Sequence, residues 1–251
     1  MRPELRGVCA IAALLAGLAG CAQAPVAPAP PTSAPASPAP APIRPAVASA
    51  VSSAAWARDM DEFAARDAAH PPPRDAVLFI GSSSIRKWTS LARDFAGTPV
   101  INRGFGGSQV RDSTFYADRI VVPYRPREVV FYAGDNDLAD GRDVAQVVED
   151  TFAFIARVRR DLPGVPVVYI SIKPSPSRAG LLPSIRQANA RIAQRAAQLE
   201  DVHFVDVFTP MLGADGRPRA ELFEADMLHM KPEGYALWTR LLKPYVASKP
   251  H

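Results

Sequence analysis

Cysteine is nearly absent from the sequence, since only Cys9 and Cys21 occur among 251 residues. The chain beyond Cys21 therefore has no cysteine to form a disulfide, act as a thiol nucleophile or bind a metal. Long runs of lysine or arginine are also missing, although the formal net charge is +4. The basic residues are mixed with acidic ones, which is typical of a solvated surface rather than a nucleic-acid-binding face. We therefore expect no nucleic-acid partner.

The apolar run at residues 8–20 is too short to span a bilayer, which needs about 20 residues. It follows Arg2 and Arg6, and a charged segment before a short apolar one is typical of a secretory signal peptide. The run ends in Leu18-Ala19-Gly20-Cys21, which resembles the lipobox of bacterial lipoproteins. The resemblance implies a signal peptide at 1–20 and an acylated Cys21 that anchors the protein to a membrane of the cell envelope, on the periplasmic side or the cell surface. An ordinary signal peptide with an incidental cysteine is the alternative, and palmitate labelling of Cys21 distinguishes the two.

Proline, by contrast, is abundant, with 26 residues. A dense group lies between residues 25 and 45, in a stretch made almost wholly of alanine, proline and serine. Such a stretch buries too little apolar surface to offset the entropy lost on ordering, which predicts a tether over residues 21–54. Residues 55–251 remain, enough for one domain with a full-sized core.

Apolar runs of strand length alternate with helical patterns along this domain. The predicted strands cover residues 76–80, 99–102, 128–133, 165–172 and 202–207. The predicted helices cover residues 56–69, 143–161, 182–199 and 232–246. Continuous apolar strands that alternate with helices indicate a parallel sheet covered on both faces. We therefore expect an α/β fold, a three-layer α/β/α sandwich with one parallel sheet of about five strands.

Ligands of such sheets bind beyond the carboxyl ends of the strands, and the first of these loops carries Ser82, Ser83 and Ser84 after Gly81. A serine directly after a buried strand, at the start of a helix, stands exposed among backbone N–H groups. Serines at strand ends also cap helices without any chemical role. No Gly-Lys-Ser/Thr follows, which excludes a Walker phosphate loop.

The next two loops are rich in glycine and in amide or acidic residues. The second loop, Gly104-Phe105-Gly106-Gly107, either forms a tight turn for geometric reasons or brings a backbone N–H close to a ligand oxygen. The pattern does not match a dinucleotide-binding loop, because Gln109 occupies the position where such a loop needs its final glycine. The third loop, Gly134-Asp135-Asn136-Asp137, either forms Asx turns or provides a side-chain amide to an oxyanion.

The last motif is Asp226-Met227-Leu228-His229. A carboxylate three residues before a histidine can fix the tautomer of the ring and leave its other nitrogen free as a base. Pro232 is a suitable first residue for the last helix, which places His229 in the loop before it. A surface or capping histidine is the alternative. No H-E-x-x-H or comparable spacing indicates a metal site.

Together the four stretches resemble the SGNH hydrolases, also called GDSL esterases or lipases, over most of residues 76–245. The family motif G-D-S-[LI] corresponds to Gly81-Ser82-Ser83, which implies Ser83 as nucleophile although Ser82 replaces the usual aspartate. Ser84 is the alternative nucleophile. The family fold is a flavodoxin-like α/β/α sandwich, in agreement with the strand and helix pattern.

The resemblance also assigns the other groups of the site. It implies that Asp226 and His229 complete the catalytic set. It further implies an oxyanion hole formed by the N–H groups of Ser83 and Gly107 and by the side chain of Asn136, with Gly104 the weaker candidate. The implied activity is ester hydrolysis through an acyl-enzyme, without a cofactor or a metal.

Substrate and role remain open at this stage. No long apolar insertion resembles a lipase lid, which favours short acyl groups on a small ester or an acylated sugar. An O-deacetylase of cell-wall or other polysaccharide and a non-catalytic binding lipoprotein are the alternatives. Lys173, Arg103 and Arg111 end or follow predicted strands, so they either bind an anionic or sugar substrate or are solvated surface charges.

Overall fold

The computed structural model describes residues 53–246. The predicted signal peptide (1–20), Cys21 and all but the last two residues of the predicted tether (21–54) lie outside the described residues. Within the described part of the chain, no helix is both long enough and apolar enough to cross a membrane.

Five strands and nine α-helices make up residues 53–246, with five short 3₁₀ helices between them. The strands are β1 (Val77–Gly81), β2 (Val100–Gly104), β3 (Glu128–Tyr132), β4 (Val167–Ile170) and β5 (Val202–Val205). The helices are α1 (Ala57–Ala69), α2 (Ser83–Arg86), α3 (Leu91–Asp94), α4 (Val110–Phe115), α5 (Ala117–Ile120), α6 (Asp135–Ala139), α7 (Val144–Asp161), α8 (Leu182–Ala196) and α9 (Pro232–Val246). The 3₁₀ helices are Ser53–Trp56, Val122–Tyr124, Pro176–Leu181, Thr209–Met211 and Ala220–Leu222.

The strands form one sheet in the order β2-β1-β3-β4-β5, and every pair is parallel. This is the strand order of flavodoxin-like sheets, in which the point where the order reverses is a usual ligand site. Here the reversal lies between β1 and β3, so the loops after these two strands open at the same crevice. The predicted fold class is confirmed.

Side chains that alternate along each strand divide the core into two layers. On β1, Leu78 and Ile80 point into a cluster shared with α1, α4, α5, α7 and α8. Val77 and Phe79 point to the opposite face, into a cluster shared with α2, α3 and α9. All four side chains are fully buried, so the strand reads as continuously apolar because both of its faces are covered.

Two predicted strands are longer than those in the structure, because side chains bind the backbone beyond their ends. The strand predicted at 165–172 ends at Ile170, since Asn189 on α8 pairs with both the N–H and the C=O of Ile172. The strand predicted at 202–207 ends at Val205, since the N–H of Val207 donates to the Ser171 hydroxyl, 2.9 Å away.

The second strand is longer than predicted, because β2 continues to Gly104 where the sequence pattern predicts an end at 102. Gly104 pairs with Gly81 at the carboxyl edge of the sheet. A Cβ at Gly104 would lie 2.1 Å from the backbone nitrogen of Arg86. Only glycine allows α2 to pack this closely on the end of β2, so Gly104 has a packing role.

Candidate active site

Three adjacent serines follow β1, and they differ in accessibility. Ser82 and Ser84 are buried, at 0% and 1% exposure, while Ser83 is only partly buried. Ser82 precedes α2, and its side chain makes no capping hydrogen bond. Ser83 is the first residue of α2, where a backbone N–H has no acceptor within the helix. Of the three hydroxyls, that of Ser83 is the one open to a ligand.

Asp226 and His229 form a direct pair. The Nδ1 atom of His229 lies 2.6 Å from Oδ2 of Asp226. The other carboxylate oxygen accepts the backbone N–H groups of Leu228 and His229, both at 2.9 Å. The hydrogen bond to the imidazole has the largest effect on the pKa of Asp226. Together with the bonds from the two backbone N–H groups, it holds this pKa well below its ordinary value. Asp226 is therefore a carboxylate that holds Nδ1 and leaves Nε2 of His229 available.

The loop that carries His229 is fixed from both sides. The carbonyl of His229 accepts the N–H of Glu224 at 2.7 Å. Helix α9 begins three residues after His229, at Pro232. In the first turn of α9, the hydroxyl of Tyr235 donates to the carbonyl of Ser84 on α2 at 3.0 Å. The elements that carry the serines and the histidine are thus tied together at one edge of the sheet. No hydrogen bond joins the Ser83 hydroxyl to His229 in residues 53–246.

Gly107 presents its backbone at the surface of the second loop. Its φ of +81° lies in the left-handed region, which side chains rarely adopt, and a Cβ would meet nothing within 4 Å. The backbone conformation rather than space therefore requires glycine here, in contrast to Gly104. The residue is exposed, as a backbone donor to a ligand needs to be.

Asn136 connects this loop to the third one. Its Nδ2 atom donates to the carbonyl of Ser108 at 2.9 Å, and its Oδ1 atom accepts from Arg178 at 2.8 Å. Because an amide nitrogen carries two hydrogens, one remains for another acceptor. The structure therefore brings the predicted amide donor next to the residue that follows Gly107.

A buried ionic cluster lies beside Asn136. The carboxylate of Asp135 lies 2.8 Å from Nζ of Lys173 and 2.9 Å from Nη1 of Arg178. Burial alone would raise the pKa of Asp135, but the two cations outweigh it and the net shift is downward. Burial lowers the pKa of Lys173, which the Asp135 carboxylate opposes. Asp135 is therefore a buried carboxylate shared by two cations.

The two interpretations of Lys173 and Arg103 from sequence were both wrong. Lys173 is 1% exposed and bound to Asp135 and to the hydroxyl of Tyr132. Arg103 is 8% exposed and bound to Asp67. Both are internal ion pairs, neither solvated charges nor free substrate ligands. Arg111, on α4, is partly buried.

Sequence reasoning did not identify Arg178 or the environment of Asp137. Arg178 lies in the 3₁₀ helix Pro176–Leu181, eight residues after β4 ends at Ile170, and no sequence motif marks it. Asp137 is fully buried and accepts the N–H of Val110 with both oxygens at 3.2 Å. Burial raises the pKa of Asp137 to about 7, although the hydrogen bond from Val110 acts to lower it.

A cavity of about 420 Å³ beside β2 is separate from these groups. Its walls include Arg66 and Arg86 but none of Ser83, Asn136 and His229. Within the described residues, no group of three or more His, Cys, Asp or Glu side chains is arranged to hold a metal ion.

Comparison with known proteins identifies the family. The sequence matches the GDSL-like lipase/acylhydrolase family over residues 80–237, more than half of the chain, and a comparison with curated proteins found no significant match.

Solved structures share the fold at low sequence identity. A putative platelet activating factor from Streptococcus pneumonia is 22% identical with a TM-score of 0.68, over 77% of this chain and 94% of that one. A GDSL-like lipase from Bacteroides thetaiotaomicron is 23% identical with a TM-score of 0.64, over 75% and 97%. A catalytic mutant of an acetylxylan esterase from Geobacillus stearothermophilus is 16% identical with a TM-score of 0.56, over 71% and 96%. With the sheet order and the four motifs in place, the chain belongs to the GDSL-like lipase/acylhydrolase family of hydrolases.

Proposed function

We propose that this protein is a serine esterase that hydrolyses carboxylic esters of short acyl groups through an acyl-enzyme. The observation that carries the proposal is the accessibility of Ser83 between two buried serines. It is supported by the hydrogen bond of Tyr235, on the helix that follows the Asp226–His229 loop, to the carbonyl of Ser84. A nucleophilic serine needs an exposed hydroxyl and a base that a third group orients. In this proposal Ser83 provides the hydroxyl, His229 is the base, and Asp226 orients His229.

The acylation step starts with attack of the Ser83 oxygen on the ester carbonyl, while Nε2 of His229 takes the hydroxyl proton. The tetrahedral adduct then collapses, the bond to the alcohol breaks, and the proton passes from His229 to the leaving alcohol. Water attacks the acyl-enzyme by the same route and releases the acid and free Ser83. A hydrogen bond between serine and histidine is often long or poorly aligned before substrate binds, so substrate is expected to bring the two into contact.

Asp226 supports this cycle by holding one tautomer of His229. Because its Oδ2 atom accepts from Nδ1, the imidazole presents Nε2 without a proton as the base. After His229 has taken the proton, the same carboxylate stabilises the imidazolium. The two backbone N–H groups on Oδ1 keep Asp226 in place for both roles.

Three donors stabilise the negative charge that develops on the carbonyl oxygen. They are the N–H of Ser83 at the start of α2, the N–H of Gly107 and the second Nδ2 hydrogen of Asn136. Donors that are already aimed at the oxyanion act without reorganisation, and loss of one typically lowers turnover about 10²- to 10³-fold. The fixed amide of Asn136 supports this role.

A second candidate function is O-deacetylation of a polysaccharide. It is favoured by the fold shared with an acetylxylan esterase, although at 16% identity. Both functions use the same chemistry on an acyl group and differ in the alcohol. A panel of aryl esters of increasing acyl length, with acetylated sugars included, separates them by relative kcat/KM.

The test of the proposal is hydrolysis of p-nitrophenyl acetate by the protein and three alanine variants. Ser83→Ala is expected to lower kcat by about 10⁴-fold or more, because the acyl-enzyme cannot form. Ser82→Ala and Ser84→Ala, which remove buried hydroxyls of the same segment, are the matched controls and are expected to keep most activity. Full activity in Ser83→Ala contradicts the proposal, and loss only in Ser84→Ala moves the nucleophile by one residue. A wild-type protein without esterase activity favours a binding protein that keeps the fold.

A further inference from the structure

Arg178 connects two neighbouring residues of the third loop. Its Nη2 atom donates to Oδ1 of Asn136 at 2.8 Å, and its Nη1 atom lies 2.9 Å from Oδ2 of Asp135. The side chain is only 16% exposed. One planar guanidinium thus holds the carbonyl end of the Asn136 amide and the adjacent carboxylate together.

The position of the Arg178 guanidinium is fixed by the groups around it. Asp135 also binds the buried ammonium group of Lys173 at 2.8 Å, so the carboxylate that Arg178 contacts is fixed. The 3₁₀ helix Pro176–Leu181 that carries Arg178 is joined to the histidine loop, because the N–H of Ser177 donates to the carbonyl of Met227 at 3.0 Å. Arg178 therefore lies in a segment that contacts both halves of the site.

The contacts of Asn136 determine which way its amide points. A guanidinium has only donors, so it can donate to Oδ1 but cannot accept a hydrogen bond from Nδ2. The carbonyl of Ser108 is an acceptor, and it takes one hydrogen of Nδ2. Without Arg178 only the Ser108 contact would fix the amide, whose oxygen and nitrogen are nearly the same in shape.

We propose that Arg178 is a positioning residue that orients the Asn136 amide so that its second Nδ2 hydrogen meets the oxyanion. This rests on the esterase function proposed above. A hydrogen bond from a charged donor to Oδ1 is stronger than a neutral one and polarises the amide, which makes Nδ2 a better donor. Since the oxyanion exists only after attack on the carbonyl, Arg178 acts on kcat rather than on KM.

The first experiment measures kcat and KM for p-nitrophenyl acetate in full-length Arg178→Ala and Arg178→Lys. Arg178→Ala is expected to lower kcat about 10- to 100-fold with KM within about twofold, because one oriented donor is partly lost. Arg178→Lys retains a cationic donor and is expected to recover part of kcat. Arg195→Ala, which removes an arginine paired with Glu149 on the outer helices, is the control and is expected to keep wild-type kcat. An unchanged kcat in Arg178→Ala overturns the proposal, and so does a loss confined to KM, since that identifies a direct substrate ligand.

A double-mutant cycle with Asn136→Ala separates positioning from a general structural effect. If Arg178 acts through the amide, Arg178→Ala costs almost nothing further in the Asn136→Ala background. If it lowers kcat by the same factor in both backgrounds, Arg178 acts elsewhere and the proposal is wrong. Rates are divided by the fraction of protein that reacts with a serine-directed phosphonate, which corrects for misfolded material.

A readout independent of turnover keeps this inference distinct from the esterase function. The side-chain amide signal of Asn136, identified by its loss in Asn136→Ala, is followed by ¹⁵N NMR in the wild type and in Arg178→Ala. Hydrogen exchange of this amide is expected to be several-fold faster without Arg178, and equal rates overturn the proposal. Failure of the esterase function instead shows as full activity in Ser83→Ala or none in the wild type, whatever this amide does.

Discussion

Two carboxylates of the site lie in opposite environments. The side chain of Asp226 is 46% exposed and binds a histidine three residues away in sequence. That of Asp135 is 4% exposed and binds a lysine 38 residues away and an arginine beyond it. The first pair depends on one loop, while the second exists only when β3 and the segment after β4 are side by side. The first therefore belongs to local structure and the second to the fold.

The difference suits what each carboxylate does in the proposed reaction. His229 gains and loses a proton in each cycle, and water near Asp226 reduces the cost of that change in charge. The Asp135 cluster keeps its charges, because removal of one charge would leave the others unpaired in a buried place. We expect the exposed pair to determine activity and the buried cluster to determine stability and positioning.

The largest expected effect on stability comes from Lys173→Met. The change keeps an unbranched apolar stem but leaves Asp135 with Arg178 as its remaining cation. Loss of one partner of a buried ion pair costs about 3–5 kcal/mol, and the remaining arginine places the expected loss at the lower end, about 3 kcal/mol. The free energy of unfolding from denaturant titration measures it.

The control for this variant is Lys243→Met, because Lys243 is an exposed lysine on α9. Its free energy of unfolding is expected to stay within about 0.5 kcal/mol of the wild type. If both methionine variants lose the same amount of stability, the buried cluster does not differ from surface charge and the comparison fails.

The next effect is that of Asp226→Asn on turnover. Asparagine can still contact His229, but it no longer favours the tautomer with a free Nε2 or stabilises the imidazolium. Since Asp226 is half exposed, water can replace part of its effect, and kcat is expected to fall about 10²- to 10³-fold. A fall in kcat with an unchanged unfolding free energy agrees with the comparison. A loss of stability as large as that of Lys173→Met contradicts it.

The smallest effect concerns Met227, between the two members of the exposed pair. Its φ of +55° is left-handed, which costs a side chain about 1 kcal/mol and glycine almost nothing. Met227→Gly is therefore expected to be more stable than Met227→Ala by up to about 1 kcal/mol, because only the alanine variant keeps the strain. Thermal unfolding of the two variants measures the difference, and a more stable alanine variant would show that the loop is not strained there.

The same division between local and distant contacts separates what the sequence predicted from what it missed. Strands β1 and β3 were predicted to within one residue, because strands covered on both faces are continuously apolar. The Asp226–His229 pair was predicted from a spacing of three residues, which one turn can close. Both predictions use information within a few residues of the chain.

The missed features depend on elements that are distant in sequence. Lys173 resembled a surface charge because its partner, Asp135, follows another strand. Arg178 carried no motif, and its contact with Asn136 follows from the position of a 3₁₀ helix. The ends of β4 and β5 depend on Asn189 and Ser171, whose contacts are visible only in the folded chain.

The assignment of the nucleophile is tested most directly by covalent labelling. The protein is treated with a serine-directed fluorophosphonate, digested, and analysed by tandem mass spectrometry of the peptide that contains residues 82–84. The account predicts one phosphonyl adduct on Ser83, which forms about 10²- to 10³-fold more slowly in Asp226→Asn because His229 activates the serine less. An adduct on Ser84, or an esterase whose activity survives full exposure to the reagent without any adduct on Ser83, would contradict it.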